Sequence, residues 1–177
     1  MEPLEARGWG AAVSSLRAVT EVVLGPLVHR PDADWYRAPS GKWCPAQIVE
    51  HLALGMGSCA RTFLARRDHA PMRRRRRSAR EWLSYQLVLR VGWMPQGAEA
   101  PSATRPAPHA ERAGVEHAFR EGVALLLQLA VELPPARRRD LFARHPRLGD
   151  LTLPEWLRFF ERHCAHHARQ IRARLAG

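Results

Sequence analysis

An all-α chain, its long helices packed as a bundle, is the fold the sequence predicts. Three observations carry this. Apolar residues recur at helical spacing in five stretches. Proline or a Pro- and Gly-rich connector bounds most of them. No stretch alternates polar and apolar residues with period two over the length of a strand.

The first stretch carries Val13, Leu16, Thr20, Val23 and Leu27, and Gly25-Pro26 ends or kinks it. A connector over 31–43 holds Trp35, Tyr36 and Trp43. The second helix starts at Pro45, a favoured first-turn residue, with Ile48, Leu52, Gly55, Cys59 and Phe63 on one face. Arg66 to Arg80 is too charged for a core, and Arg73–Arg77 reads as a solvated tip between helices. The third helix runs from about Glu81 to Val91. A long loop over 95–110 holds four of the 14 prolines, and loops of this length are uncommon without a function or disorder. The fourth helix covers Glu111 to Leu133, where Pro134-Pro135 stops it. The last runs from Leu153 to Leu175 behind a Thr152-x-x-Glu155 capping box.

The 177 residues fit a single domain, 1–177, with core enough to fold without disulfides or a structural metal. Hydrophobic residues make up 46% and charged residues 25%, which excludes a wholly disordered chain and a disulfide scaffold. Uncharged windows stop at about ten residues, short of the roughly 18–20 that cross a bilayer, so no membrane partner is expected. Met1-Glu2-Pro3 has no basic region ahead of an apolar run, so no signal peptide is expected. Three cysteines without a CxxC pair fit a reduced, cytoplasmic protein. The net charge is 28 − 17 = +11, and Lys42 is the only lysine. So much Arg, with Ala and Pro, fits a GC-rich bacterial genome as well as a surface for phosphate.

The histidines carry the chemical signal. Trp156, Phe160, His163, His167 and Ile171 share one face of the last helix, with two imidazoles where the pattern calls for core. His163 and His167 are one turn apart, and rings so placed can share a metal ion. His51 lies on the apolar face of the second helix. Each alone reads more readily as a satisfied core histidine. Together they need several separate acceptors or one metal, and spacing leaves the two readings near even.

Two stretches carry a family resemblance. Ser40-Gly41-Lys42-Trp43-Cys44-Pro45-Ala46-Gln47-Ile48-Val49-Glu50-His51-Leu52 resembles W-S/T-P-x-Q-x-x-x-H-L of the DinB-like (DinB/YfiT) metalloenzymes. His145-Pro146-Arg147-Leu148-Gly149-Asp150-Leu151-Thr152, then Glu155-Trp156 and His163 to Ile171, resembles H-P-x-x-G-x-L-T … W … H-x-x-H-H-x-x-Q-I. The resemblance implies an up-down-down-up four-helix bundle with a long Pro-rich loop between the third and fourth helices. It implies a divalent metal on His51, His163 and His167, zinc first, with nickel, iron or manganese as alternatives. Relatives include S-transferases and an isomerase that use a low-molecular-weight thiol, so such a thiol is an expected cofactor. Cys44 departs from the Ser or Thr usual at the helix cap.

The expected function is a metal-dependent enzyme acting on a small molecule by thiol S-transfer or hydrolysis, with a homodimer left open. Gln47, His166 and Gln170 are candidates for orienting the ligands. The alternative is a non-enzymatic basic protein that binds nucleic acid through Arg73–Arg77, although no aromatic interleaves that run. Gly55-Met56-Gly57-Ser58-Cys59-Ala60 matches G-x-G-x-x-A, but it lies inside a helix and no strand precedes it.

Overall fold

The computed structural model describes residues 4–70, 73–95, 97 and 99–176. Met1–Pro3, where a leader was sought, and Gln96 and Ala98 of the Pro-rich loop lie outside the described residues.

Four long helices dominate: α1 (Leu4–Leu24), α3 (Pro45–Arg66), α5 (Arg112–Glu132) and α7 (Leu153–Leu175). Three shorter ones join them: α2 (Asp32–Tyr36), α4 (Ala79–Tyr85) and α6 (Arg137–Asp140). After Leu24 a tight turn over Gly25–Leu27 takes Pro26 at its start. The third sequence-predicted helix is α4 and then a wide π turn over Gln86–Val91, closed by Gly92 at φ 80°.

Side-chain contacts give the helix directions. Gly122 lets α5 lie close to α3, where a Cβ would stand 3.0 Å from Met56 Cβ. Further along the same pair, Arg67 at the end of α3 reaches Glu132 at the end of α5. The two helices therefore run side by side in one direction. α7 runs against α3, because Arg174 near its end donates to the Trp43 carbonyl just before α3 begins, at 3.2 Å. α1 runs against α5, since the Arg138 guanidinium beyond the end of α5 lies 4.3 Å from the ring of Trp9. Leu16, Ile48, Leu52, Met56, Phe63, Phe119, Leu126, Phe160 and Ile171 are fully buried between them. Each such side chain contributes about 1.5–3 kcal/mol through burial.

Two expectations need correction. The chain is mostly helical, as expected, but not wholly so: β1 (Phe142–His145) and β2 (Gly149–Thr152) pair antiparallel, with Phe142 opposite Thr152 and His145 opposite Gly149. Each strand has only four residues, and all four of β2 are buried, so no alternation is visible in the sequence. His145 shapes the turn, its Nδ1 accepting from the backbone N–H groups of Arg147 and Leu148 at 3.1 and 3.2 Å. Gly149 follows at φ 76°, a conformation few other residues tolerate.

Nor is Arg73–Arg77 a solvated tip. Arg74 pairs with Glu155 at 2.7 Å and donates from Nε to the Asp150 carbonyl at 3.1 Å. Arg77 pairs with the other oxygen of Glu155 at 3.2 Å and donates to the Leu148 carbonyl at 2.9 Å. Arg75 pairs with Glu81 at 2.5 Å. The run straps the ribbon to the start of α7. Periodicity could not show this, because the partners are carbonyls and carboxylates far along the chain.

Candidate metal centre

The starts of α3 and α7 are both fixed by the residue three positions into the helix. Gln47 Oε1 accepts from the Cys44 N–H at 3.2 Å, so the carboxamide supports the cap that Cys44 leaves weak. Glu155 Oε2 accepts from the Thr152 N–H at 2.7 Å. Burial pushes the Glu155 carboxyl up, but Arg74, the Thr152 N–H and Tyr85 outweigh this and hold it below the usual range.

With α3 and α7 antiparallel, His51 faces His163 and His167. His51 Nε2 lies 3.3 Å from His163 Nε2, and His163 Nε2 lies 3.0 Å from His167 Nε2. One nitrogen from each ring falls within 4.8 Å of the others, so the group could hold a metal ion. Trp43 packs against His51 with ring centroids 5.1 Å apart, and Phe159 against His163 at 4.9 Å. Burial lowers the pKa of all three imidazoles: His51 below 6.5, His163 well below it and His167 to about 3.

The outer nitrogens decide the tautomers. A carbonyl oxygen can only accept, so His51 Nδ1 donates to the Thr104 carbonyl, at 2.7 Å. His167 Nδ1 likewise donates to Gln170 Oε1 at 2.8 Å. In the neutral ring the second nitrogen then carries the lone pair. His51 and His167 therefore both aim lone pairs at His163 Nε2, which has at most one proton for the two of them. A cation accepts from all three at once, and so the donor set fits a divalent metal.

The other candidates fall as follows. Gln170 donates its amide N–H to His166 Nε2 at 3.1 Å while accepting from His167, which places His166 beside the cluster and outside it. Gln47 was a candidate for orienting a ligand, and among the described residues its side-chain hydrogen bonds go to Cys44, Ala107 and Pro108. Besides capping α3 it donates to the Ala107 carbonyl at 3.1 Å. Glu50, one turn on, accepts from the Ala107 N–H at 2.8 Å. The two pin the Pro-rich loop beside His51, so Gln47 acts on the position of Thr104. Glu50 and Thr104 were missed from the sequence. Thr104 offers only a backbone carbonyl, which residue type cannot signal, whereas the 47, 50, 51 spacing could have singled out Glu50. Cys59 and Cys164 are buried, and burial pushes both thiols up, away from nucleophilic use. A cavity of about 240 Å³ beside Leu24, Trp35 and Arg112 touches none of the three histidines.

The family profile of the DinB superfamily matches residues 12–171. This chain belongs to the DinB superfamily. The match spans α3, α7 as far as Ile171 and all three histidines. DinB proteins usually bind metal, in keeping with the three-imidazole group found here. No curated protein and no solved structure matches the chain.

Proposed function

We propose that this DinB protein holds one divalent metal on His51, His163 and His167 and uses it to act on a small molecule, by thiol S-transfer or by hydrolysis. The four long helices are then the up-down-down-up bundle of the family resemblance. The observation that carries the reading is the pair of fixed tautomers: His51 and His167 turn their lone pairs toward His163 Nε2.

Zinc suits three neutral imidazoles best, with nickel, iron or manganese next. A metal on three protein ligands supplies Lewis acidity and lowers the pKa of a group bound beside them, whether water or a low-molecular-weight thiol. The chain's own residues do the rest. The Thr104 carbonyl and Gln170 fix the rings of His51 and His167. Trp43 and Phe159 wall the cluster with apolar surface, which keeps the imidazoles neutral and ready to ligate.

A turnover assay over a panel of thiol acceptors and esters tests the reading, with and without a chelator. Turnover lost on chelation and restored by a divalent ion supports it. Turnover indifferent to chelation refutes it. For the nucleic-acid alternative, Arg74, Arg75 and Arg77 are engaged with Glu155, Glu81 and Asp150, which leaves Arg73 and Arg76 of the run to meet phosphate.

A further inference from the structure

The α4 helix and the π turn after it bury one side and leave the other uncovered. Glu81, Val88 and Leu89 face the fold. On the outer side Trp82 is 56% exposed, Leu83 54%, Val91 70% and, just beyond, Trp93 54%. These are four of the seven large hydrophobic side chains exposed among the described residues. The π turn matters to this arrangement. Its wider winding keeps Val88 and Leu89 in line with Glu81 and Tyr85, and so leaves Val91 about two turns along from Leu83 on the outer side.

Exposed cations flank this apolar face along the chain. Arg80 and Arg90 stand on the same segment, Arg73 and Arg76 lie just before it, and all four are exposed. Unlike Arg74, Arg75 and Arg77, none of the four pairs with a carboxylate among the described residues. Three arginines of the run thus hold the fold together while its remaining charge points outward.

We propose that this face docks on the surface of an anionic phospholipid bilayer. Trp82, Leu83, Val91 and Trp93 enter the headgroup boundary, and the arginines pair with lipid phosphates. Indole rings favour that boundary, aliphatic tips reach the acyl region, and basic flanks add attraction to anionic lipid. A net charge of +11 acts in the same direction. A second copy is a poorer occupant, because a two-fold contact would bring two sets of exposed arginines, and no matching carboxylates, into one interface. Nucleic acid is poorer too, since Leu83 and Val91 offer neither stacking nor a phosphate contact. The sequence expectation of no membrane partner rested on the lack of a spanning segment, and no described helix is long and apolar enough to cross a membrane, so the attachment proposed is to the surface. It is independent of the metal reading.

Co-sedimentation of the full chain with vesicles tests this. One set is phosphatidylglycerol and phosphatidylcholine in equal parts, the other phosphatidylcholine alone. The chain is expected to partition at least tenfold more strongly onto the anionic vesicles, and less so as salt is raised. Trp82→Ser with Leu83→Ser should abolish the partitioning. Arg80→Gln with Arg90→Gln should weaken it by roughly fivefold per charge. If the apolar double variant fails to keep its circular-dichroism melt, the arginine variant decides. The proposal is overturned by equal or absent binding to the two vesicle sets, or by variants that bind as wild type. It is equally overturned if Leu83→Ser splits a dimer in analytical ultracentrifugation, or if the chain binds duplex DNA through Arg80 and Arg90 while ignoring vesicles.

Discussion

The Nδ1–H of His51 donates to the backbone carbonyl of Thr104 at 2.7 Å, across 53 positions of the chain. This bond turns Nε2 of His51, with its lone pair, toward His163. It depends on a loop that Glu50 and Gln47 hold at Ala107.

Glu50→Ala should therefore lower metal affinity by about 10–100-fold, the usual cost of losing a group that orients a ligand. Glu50→Gln should restore it, because a carboxamide oxygen can still accept from Ala107. Competition against a chelator reads the affinity. Long-range nitrogen NMR of the metal-free chain reads the tautomer, which should become mixed at His51 only in Glu50→Ala. An unmixed tautomer with unchanged affinity would show that the loop is held by other means.

The strap predicts an uneven arginine run. Arg73→Ser with Arg76→Ser should leave stability within about 0.5 kcal/mol of wild type. Arg74→Ser with Arg77→Ser should cost on the order of 2 kcal/mol, because the partly buried Glu155 carboxylate loses both guanidinium partners. Denaturant unfolding monitored by circular dichroism measures both. Equal effects from the two pairs would contradict the strap.

Acid should destabilise the metal-free chain in two stages. An unfolded histidine takes up its proton near pH 6.5. In the fold, burial lowers His51 and His163, and brings His145 to about 4 and His167 to about 3. The unfolded state then binds more protons, so stability is full above pH 6.5 and falls as pH drops toward those values. A second loss begins below about pH 4.5, where the unfolded carboxylates protonate. The Ser78 N–H and Arg75 hold Glu81 down to about 2, and Glu155 is also lowered. Melting temperature against pH, in the presence of a chelator, should slope downward from neutrality to pH 5, and less steeply in His167→Ala. A flat profile over that range would mean that the imidazoles are solvated.

The helices were legible because their cores repeat every three to four residues: Ile48, Leu52 and Phe63 in α3, Trp156, Phe160 and Ile171 in α7. The same repeat placed His51, His163 and His167 inward, and two spaced motifs then carried the family resemblance, which the DinB match bears out. The ribbon was not legible, since strands of four residues with β2 wholly buried carry no period. Nor was the strap of Arg74 and Arg77, whose partners Leu148, Asp150 and Glu155 lie more than 70 positions away. The anchoring of His51 escaped for a different reason: its partner is a carbonyl, and every residue has one.

The account rests on one ion shared by three rings, and elemental analysis of the purified chain tests this most directly. Wild type, His51→Ala, His163→Ala and His167→Ala are measured side by side, each with its thermal melt. One divalent ion per chain in wild type and almost none in each variant, with the fold kept, is the predicted result, since a core of this size does not need the ion to fold. Full metal content in any of the three variants, or none in wild type supplied with zinc, nickel, iron and manganese, would contradict it.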